Sequence, residues 1–207
     1  MGLANQIALF VLCEIYAITN RKRAPNLGSH QPRSPSYFFG TEMSEKQPPV
    51  SITLEKLRIP HRVFEHPGEV NSLEQAARER GQRPNQVVRS ILFRIGEDDY
   101  LMALVAGSSQ ISWKALRSYL GQSRLTTADQ DQVLKITGYP IGAVSPFGTT
   151  RSLRLLVDPS VFEEEEISIG SGIRNTTIIL KRKDLQLALG EYEVIKLVSE
   201  QLPQSRK

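Results

Sequence analysis

The chain has 207 residues, of which 40% are hydrophobic and 23% charged, a composition that fits one globular domain with an appendage. Its formal net charge is +4, but residues 1–42 hold four basic and two acidic side chains, so the charge of the remainder is too small to indicate a nucleic-acid partner by itself. The single cysteine, Cys13, excludes an internal disulfide and a cysteine-rich metal site.

The first fifty residues are predicted to be either a disordered extension or the product of a misassigned start, with translation beginning at Met43. Residues 7–18 are apolar, but they fall short of the ~20 residues that a membrane span needs and they include Glu14. The basic run follows this apolar stretch rather than preceding it, which argues against a signal peptide. Residues 26–40 are rich in Pro, Ser and Gly, as disordered connectors are.

Residues 51–200 carry the periodic signals of a folded domain, and residues 201–207 are predicted to be a flexible tail. The predicted elements, in chain order, are a helix at 52–57, a strand at 61–66, a helix capped by Ser72 with Gln75, a half-turn at 84–88, a hairpin of 90–95 and 100–105, a helix capped by Ser112, a helix capped by Thr127 with Gln130, strands at 153–158, 167–169 and 176–180, a helix at 183–189 and, as an option, a further helix at 192–198. Because helices and strands are interspersed without strict βαβ alternation, we expect an α+β fold with a mixed sheet of six or seven strands and flanking helices.

Two glycine-rich segments interrupt the regular patterns: residues 138–148 (GYPIGAVSPFG) and residues 170–172 (GSG). Glycine lets a backbone approach a ligand closely or adopt positive φ, and proline fixes φ, so the first segment has the character of a shaped backbone wall with Ser145 as its polar group. Walls of backbone amides suit an already activated substrate such as an ester, which the protein positions and whose oxyanion it stabilises. The pattern alone leaves a second interpretation open, in which both segments are simply tight turns.

Common catalytic and metal-binding motifs do not occur in the sequence. It contains no GxSxG, no P-loop, no GxGxxG after a strand and no HExxH. His61 and His66 are five residues apart on a predicted strand and should point to opposite faces, and the acidic run at residues 163–166 is typical of a solvated surface. We therefore expect neither a metal nor a cofactor.

Four segments carry the most distinctive residues of the chain: 87–92 (VVRSIL), 137–148 (TGYPIGAVSPFG), 156–158 (LVD) and 169–172 (IGSG). In this order they resemble the YbaK/ProX family of aminoacyl-tRNA editing domains, which includes the insertion domain of bacterial prolyl-tRNA synthetases. The resemblance covers about residues 52–189. It implies an α+β fold around a mixed, partly barrel-like sheet, and hydrolysis of the ester that joins a wrong amino acid (Cys, Ala, Ser or Thr in different branches) to the 3′ end of a tRNA, commonly tRNA(Pro). It further implies a cytoplasmic protein with aminoacylated tRNA as partner, prolyl-tRNA synthetase as a candidate second partner, and no membrane.

The resemblance assigns site residues to both glycine-rich segments and to two isolated positions. The residues expected to line the amino-acid pocket are Gly142, Ala143, Val144, Ser145 and Pro146. Those expected near the terminal adenosine are Gly170, Ser171 and Gly172. Gly142 and Ser145 are placed at the reaction centre, with Ser145 as a positioning group because no partner base is evident. His66 and Asp158 match a histidine after the first strand and an aspartate after a core strand, and for both a structural role is the alternative.

Two positions depart from the family pattern. Arg89 stands where editing members usually have a lysine that is important for activity, and Ala143 stands where many have glycine. Arginine keeps the positive charge and can bind phosphate, but it cannot deprotonate at physiological pH. If the lysine anchors the terminal nucleotide electrostatically, Arg89 can replace it as a catalytic residue and the chain is a trans-editing deacylase. Otherwise the chain is a catalytically silent module that binds aminoacyl-tRNA or a synthetase.

Overall fold

The computed structural model describes residues 47–198, and the sequence predictions for residues 1–46 and 199–207 lie outside these described residues. It confirms the predicted α+β class. The elements are α1 (Pro49–Lys56), β1 (Arg62–Glu65), α2 (Leu73–Glu79), a 3₁₀ turn (Pro84–Gln86), β2 (Val88–Arg94), β3 (Tyr100–Ala106), α3 (Trp113–Leu120), β4 (Thr126–Thr127), α4 (Gln130–Thr137), β5 (Arg154–Val157), a second 3₁₀ turn (Pro159–Phe162), β6 (Glu166–Gly170), β7 (Thr176–Lys181), α5 (Arg182–Leu189) and β8 (Glu193–Val194). None of the helices within residues 47–198 has the length and apolar character needed to cross a membrane.

The strands form two sheets, whereas the sequence had indicated one mixed sheet of six or seven strands. A three-stranded antiparallel sheet has the order β1-β7-β6, and a five-stranded mixed sheet has the order β4-β2-β3-β5-β8. In the larger sheet β3 pairs antiparallel with β2 and parallel with β5. An isolated bridge between Val87 and Ser168 joins the two sheets, which do not form a closed barrel. Local turn signals locate strands well, but they do not determine which strands pair.

The central strand β3 supplies both faces of the larger sheet with apolar side chains, and all seven of its residues are buried. Successive side chains of a strand point to opposite faces. Met102 and Leu104 therefore join one core cluster with residues of α1, β6, β7 and α5, whereas Leu101 and Ala103 join a second cluster with Leu116 of α3. Burial on both faces explains why this strand reads as one continuous apolar run in the sequence.

Helix starts follow local capping chemistry, which the sequence predicted at two of three places. The hydroxyl oxygens of Ser72 and Ser112 accept hydrogen bonds from the backbone N–H groups of Gln75 (3.0 Å) and Ala115 (3.2 Å), so these two caps are confirmed. The third prediction, Thr127 with Gln130, is wrong. Thr127 lies in β4 instead.

The cap of α4 is Asp129, which forms a reciprocal capping box with Gln132. The Asp129 carboxylate accepts from the Gln132 backbone N–H (2.9 Å), and the Gln132 side-chain oxygen accepts from the Asp129 N–H (3.1 Å). The helix therefore begins two residues later than the sequence analysis expected. Thr127 cannot act as the cap, because it pairs with Phe93 across β4 and β2.

The optional helix at residues 192–198 is also wrong, because Glu193–Val194 forms the short strand β8 beside β5. The carboxylate of Glu193 accepts hydrogen bonds from Arg154 (2.6 and 2.8 Å) and from the Tyr119 hydroxyl (2.6 Å). These bonds lower the pKa of Glu193 to about 2 and hold the segment extended against the sheet.

Candidate functional site

A cavity of about 740 Å³ lies beside β2, next to the bridge that joins the two sheets. β4 pairs with β2 only at Phe93 and Arg94, which leaves residues 88–92 along the edge of β2 to line the cavity. The other walls come from α2, from the end of β6 and start of β7, and from the segment after α4. A volume of this size is typical of a site for a small-molecule ligand.

The two glycine-rich segments meet and form one backbone wall. A Cβ atom on Gly170 would lie 2.2 Å from the carbonyl oxygen of Val144 and 2.5 Å from that of Ala143. The two backbone segments therefore approach each other more closely than any residue with a Cβ atom at position 170 would permit. The N–H of Gly172 donates a hydrogen bond to the Ala143 carbonyl (2.9 Å). Gly142 adopts a φ of 90°, the left-handed region that favours glycine, and it lines the cavity with Val144 and Gly170.

Tyr139 holds the first glycine-rich segment in a closed loop. Its ring is buried, and its hydroxyl lies 2.8 Å from the carbonyl oxygens of both Phe147 and Gly148. Burial raises the pKa of this hydroxyl, which therefore stays protonated and can donate. A residue inside the segment thus fixes the shape of the wall.

Arg80 supplies a buried positive charge to the cavity wall. It directly follows α2, it is only 8% exposed, and burial lowers its pKa to about 10. Its guanidinium donates to four neutral acceptors: Gln82 Oε1 (3.0 Å), His66 Nε2 (2.9 Å), Thr177 Oγ1 (3.3 Å) and Ser168 Oγ (3.1 Å). No carboxylate forms an ion pair with Arg80 among residues 47–198.

The tautomer of His66 follows from its partners. Arginine can only donate, so Nε2 of His66 accepts from Arg80 and the ring proton resides on Nδ1. From there it is donated to the Glu79 carboxylate at 2.5 Å. Hydrogen bonds from Gln75 and His66 lower the pKa of Glu79, which keeps this acceptor charged. With both nitrogens engaged, His66 holds Arg80 in place.

Arg89 also lines the cavity, but its guanidinium is tied to a loop. It is the second residue of β2, opposite Val105 of β3, and its Nη2 donates to the carbonyl oxygen of Ser109. Its buried Nε and the buried hydroxyl of its neighbour Ser90 have no hydrogen-bond partner. Burial lowers the pKa of Arg89, and the charge of Glu74 opposes this shift.

Comparison with known proteins assigns the residues around this cavity to a protein family. A model of the aminoacyl-tRNA editing domain matches residues 67–187, more than half of the chain. The chain belongs to this family. The match includes most of the cavity wall, from Glu69, which precedes α2, to Thr177 on β7.

Individual relatives agree with the family assignment. The chain is 32% identical over 107 residues to a proline–tRNA ligase of Thermotoga neapolitana, covering 52% of this chain and 18% of the ligase. It is 29% identical over 130 residues to a multifunctional Ser/Thr-tRNA deacylase, ProXp-y, of Escherichia coli, covering 61% of this chain and 77% of the deacylase. The chain thus spans about a fifth of the length of the proline–tRNA ligases that it matches.

A solved structure supports the same assignment. It is the crystal structure of a candidate trans-editing enzyme for prolyl-tRNA synthetase, which superposes with a TM-score of 0.67 at 25% identity. The superposition covers 73% of this chain and 95% of that one. The α+β fold implied by the sequence resemblance is therefore shared with this candidate trans-editing enzyme.

The editing domain brings five of the eleven predicted site residues to the cavity. Those that line it are His66, Arg89, Gly142, Val144 and Gly170. Those that are not part of its lining are Ala143, Ser145, Pro146, Asp158, Ser171 and Gly172. Two residues of the second group hold the cavity wall together, because the Gly172 N–H and the Ala143 carbonyl form the hydrogen bond that joins the two glycine-rich segments.

The two serines of the glycine-rich segments are turned inward and fully buried. Ser145 Oγ lies 3.5 Å from the Phe147 N–H, a long contact within its own turn. Ser171 Oγ lies 2.9 Å from the carbonyl oxygens of Ile173 and Thr176 and organises the turn before β7. Both contacts are those of turn-forming hydroxyls.

Asp158 directly follows β5, is buried and binds backbone N–H groups. Oδ1 accepts from Ser160 (2.9 Å), and Oδ2 accepts from Leu197 (2.6 Å) and Val198 (3.0 Å). Its side chain thus joins the end of β5 to the last described residues of the chain. These contacts match the structural role that the sequence left open for it.

Histidines and acidic residues of the described region do not gather around a common point. No group of three or more His, Cys, Asp or Glu side chains within residues 47–198 is arranged to hold a metal ion. His61 binds the hydroxyl of Ser51 (2.7 Å) and the Ile59 carbonyl (2.8 Å) instead. Among the acidic residues of the run at 163–166, Glu164 pairs with Arg83 and Glu166 with Arg62.

Sequence reasoning missed the Arg80 cluster, although a signal was present. Leu73, Ala76 and Ala77 form the apolar face of α2, and position 80 continues that face at helical spacing. A charged residue on the buried face of a helix is unusual and needs partners. Two of the partners, Ser168 on β6 and Thr177 on β7, lie 88 and 97 residues later in the chain, so the sequence does not reveal them.

Proposed function

We propose that this chain is a trans-editing deacylase that hydrolyses the ester between a small, wrongly attached amino acid and the 3′ end of a tRNA, with tRNA(Pro) as the preferred carrier. The observation that carries the proposal is the editing-domain match over a chain whose two glycine-rich segments join into one wall of a ligand-sized cavity. Relatives named as a Ser/Thr-tRNA deacylase and as proline–tRNA ligases support the choice of substrate class.

The chemistry of the cavity suits an activated ester. Its walls offer backbone groups, hydroxyls and three arginines (Arg80, Arg89 and Arg174), and the one histidine in the wall has both ring nitrogens engaged. Such a site can bind and orient an ester and stabilise the charge that develops on its carbonyl oxygen while a water molecule attacks. An aminoacyl ester needs no stronger activation than this.

We assign Arg89 an electrostatic role in this reaction. Its pKa is lowered but stays far above physiological pH, because guanidinium is a much stronger base than any group that titrates near neutrality. It therefore contributes a fixed positive charge at the cavity wall, where the terminal nucleotide would bind. Gly142 and Val144 would contact the amino acid, and Gly170 would lie between them and the adenosine.

The proposed partners follow from the substrate. Arg174 is exposed at the cavity rim, where a cation can contact the phosphates of a tRNA end. The relationship to proline–tRNA ligases makes prolyl-tRNA synthetase a candidate partner, and a substrate made during translation places the protein in the cytoplasm.

The test is a deacylation assay with the full-length chain and tRNA(Pro) charged separately with Cys, Ala, Ser, Thr and Pro. We expect the ester of at least one of the first four to disappear faster than in buffer, with a rate proportional to protein concentration. Binding to the same tRNAs is measured in parallel by filter retention. Binding without hydrolysis of any ester at high protein concentration would contradict the proposal and indicate a catalytically silent binding module.

A further inference from the structure

We propose that Arg80 is a catalytic residue, which donates a hydrogen bond to the oxyanion formed when water attacks the ester. The inference rests on the proposed function and deepens it. No residue of the Arg80 cluster other than His66 was implied by the family resemblance, and Arg89 was the cation expected to serve the site.

The first argument is the donor inventory of the guanidinium. An arginine side chain has five N–H bonds, and four of those of Arg80 donate to protein acceptors. The fifth belongs to Nη2, which gives its other hydrogen to Ser168. Arg80 lines the cavity, and we assign this remaining donor to a ligand bound there.

The second argument is charge. All four acceptors around Arg80 are neutral, and the cluster's one carboxylate, Glu79, is bound to His66 and Gln75 rather than to the guanidinium. Burial of a cation without a hydrogen-bonded counter-ion is costly, and burial lowers the pKa of Arg80 even though the nearby charge of Glu79 opposes this shift. A negative charge that develops on a ligand beside it is therefore stabilised more strongly than it would be in water.

The third argument is location. Ser168 lies two residues before Gly170 on β6, and Thr177 is the partner of Gly170 in the register of β6 with β7. Arg80 contacts both side chains, so its guanidinium flanks Gly170. Gly170 in turn touches the carbonyl oxygen of Val144, which places Arg80 next to the junction of the two glycine-rich segments.

The fourth argument is that the donor is fixed before substrate binds. Gln82, His66, Ser168 and Thr177 hold the guanidinium from four separate positions of the fold. A donor fixed in this way does not need to reorient during the reaction, which is the property of an effective oxyanion site. His66 acts through Arg80 and is a positioning residue.

The step balances as an ester hydrolysis. The oxygen of a water molecule forms a bond to the carbonyl carbon, and the electron pair of the C=O π bond moves to the carbonyl oxygen, which accepts the Arg80 N–H. The pair returns as the bond to the ribose oxygen breaks. One proton of the water ends on the ribose hydroxyl, and the other is released to solvent when the amino acid ionises as a carboxylate.

The test compares Arg80→Gln and Arg80→Lys with the exposed control Arg78→Gln, which lies two residues earlier in the last turn of α2. Loss of an oxyanion donor should lower kcat by about 10²-fold in Arg80→Gln while KM changes by less than about threefold. Arg80→Lys should recover part of kcat, because it restores a cation without the full donor set. Arg78→Gln should retain wild-type rates.

A raised KM with unchanged kcat would overturn the inference and assign Arg80 to ground-state anchoring, and unchanged kcat and KM would overturn it as well.

A second measurement separates catalysis from loss of the folded cavity. Binding of a stable amide analogue of aminoacyl-adenosine, measured by calorimetry, should agree within about threefold between wild type and Arg80→Gln, since the analogue develops no oxyanion. Loss of analogue binding in the variant would contradict a role confined to the transition state. Wild-type protein that binds the analogue but hydrolyses no ester would contradict the proposed function itself. An active wild type with an equally active Arg80→Gln variant would contradict only the role of Arg80.

Discussion

Replacing Asp158 with alanine should lower the free energy of unfolding by about 3 kcal/mol or more, one of the largest effects expected of a single substitution in this chain. The carboxylate accepts three backbone N–H groups, those of Ser160, Leu197 and Val198. Each becomes an unsatisfied donor in the variant, since the site is buried. Urea denaturation followed by circular dichroism measures the loss.

The matched control is Glu97→Ala, which removes an exposed carboxylate from the loop between β2 and β3. It should change stability by less than about 0.5 kcal/mol. Asp158→Asn should fall between the two, because an amide oxygen can still accept but carries no charge. A loss of less than about 0.5 kcal/mol in Asp158→Ala would show that the segment containing Leu197 and Val198 is not held as described.

Replacing Gly170 with alanine should lower both stability and activity. The added Cβ would lie 2.2 and 2.5 Å from two backbone oxygens, which no rotamer change can relieve, so the glycine-rich segments must separate. We expect a stability loss of about 1–3 kcal/mol from the strain. Displacement of a wall beside the reacting ester by about 1 Å should lower the deacylation rate by about 10²-fold. Thermal melting and the deacylation assay measure the two effects.

Gly68→Ala is the control for this substitution. A Cβ on Gly68 meets nothing within 4 Å, so the variant should match wild type in melting temperature and rate. If Gly170→Ala also matched wild type in both, the two glycine-rich segments could not be in contact as the structure places them.

Local chemistry made much of the fold predictable from the sequence. Caps such as Ser72 and Ser112 act on backbone groups three residues away, and glycines mark helix ends wherever positive φ is needed, as at Gly121 and Gly138. The capping error at Thr127 arose because Thr127 pairs with Phe93 in the sheet, a contact between distant residues that local capping patterns do not show.

Contacts between distant parts of the chain could not be predicted in this way. The split into two sheets depends on β7 pairing with β1 and β6 rather than with a strand of the larger sheet. Two of the three N–H groups that Asp158 binds lie about forty residues later in the chain. The contacts of Arg80 could not be predicted for the same reason. Its arginine is conspicuous on the apolar face of α2, but the acceptors on β6 and β7 are known only from the folded structure.

The glycine-rich segments were partly predictable from the sequence. Their composition identified them as either a backbone wall or a pair of turns, and the resemblance to editing domains favoured the wall. The structure adds that they form a single wall, because Gly170 accommodates the carbonyl oxygens of Ala143 and Val144. Ser145, the most conspicuous polar residue in the first segment, is buried and bonded within its own turn.

The central claim is that the cavity selectively removes wrongly attached amino acids from tRNA. Its most direct test follows two esters in one reaction with the full-length chain: Pro-tRNA(Pro), and tRNA(Pro) carrying whichever of Cys, Ala, Ser or Thr is released fastest. The predicted result is that the mischarged ester disappears faster than in buffer while the prolyl ester persists at its buffer rate. Equal loss of both esters, or loss of neither above buffer, would contradict the claim.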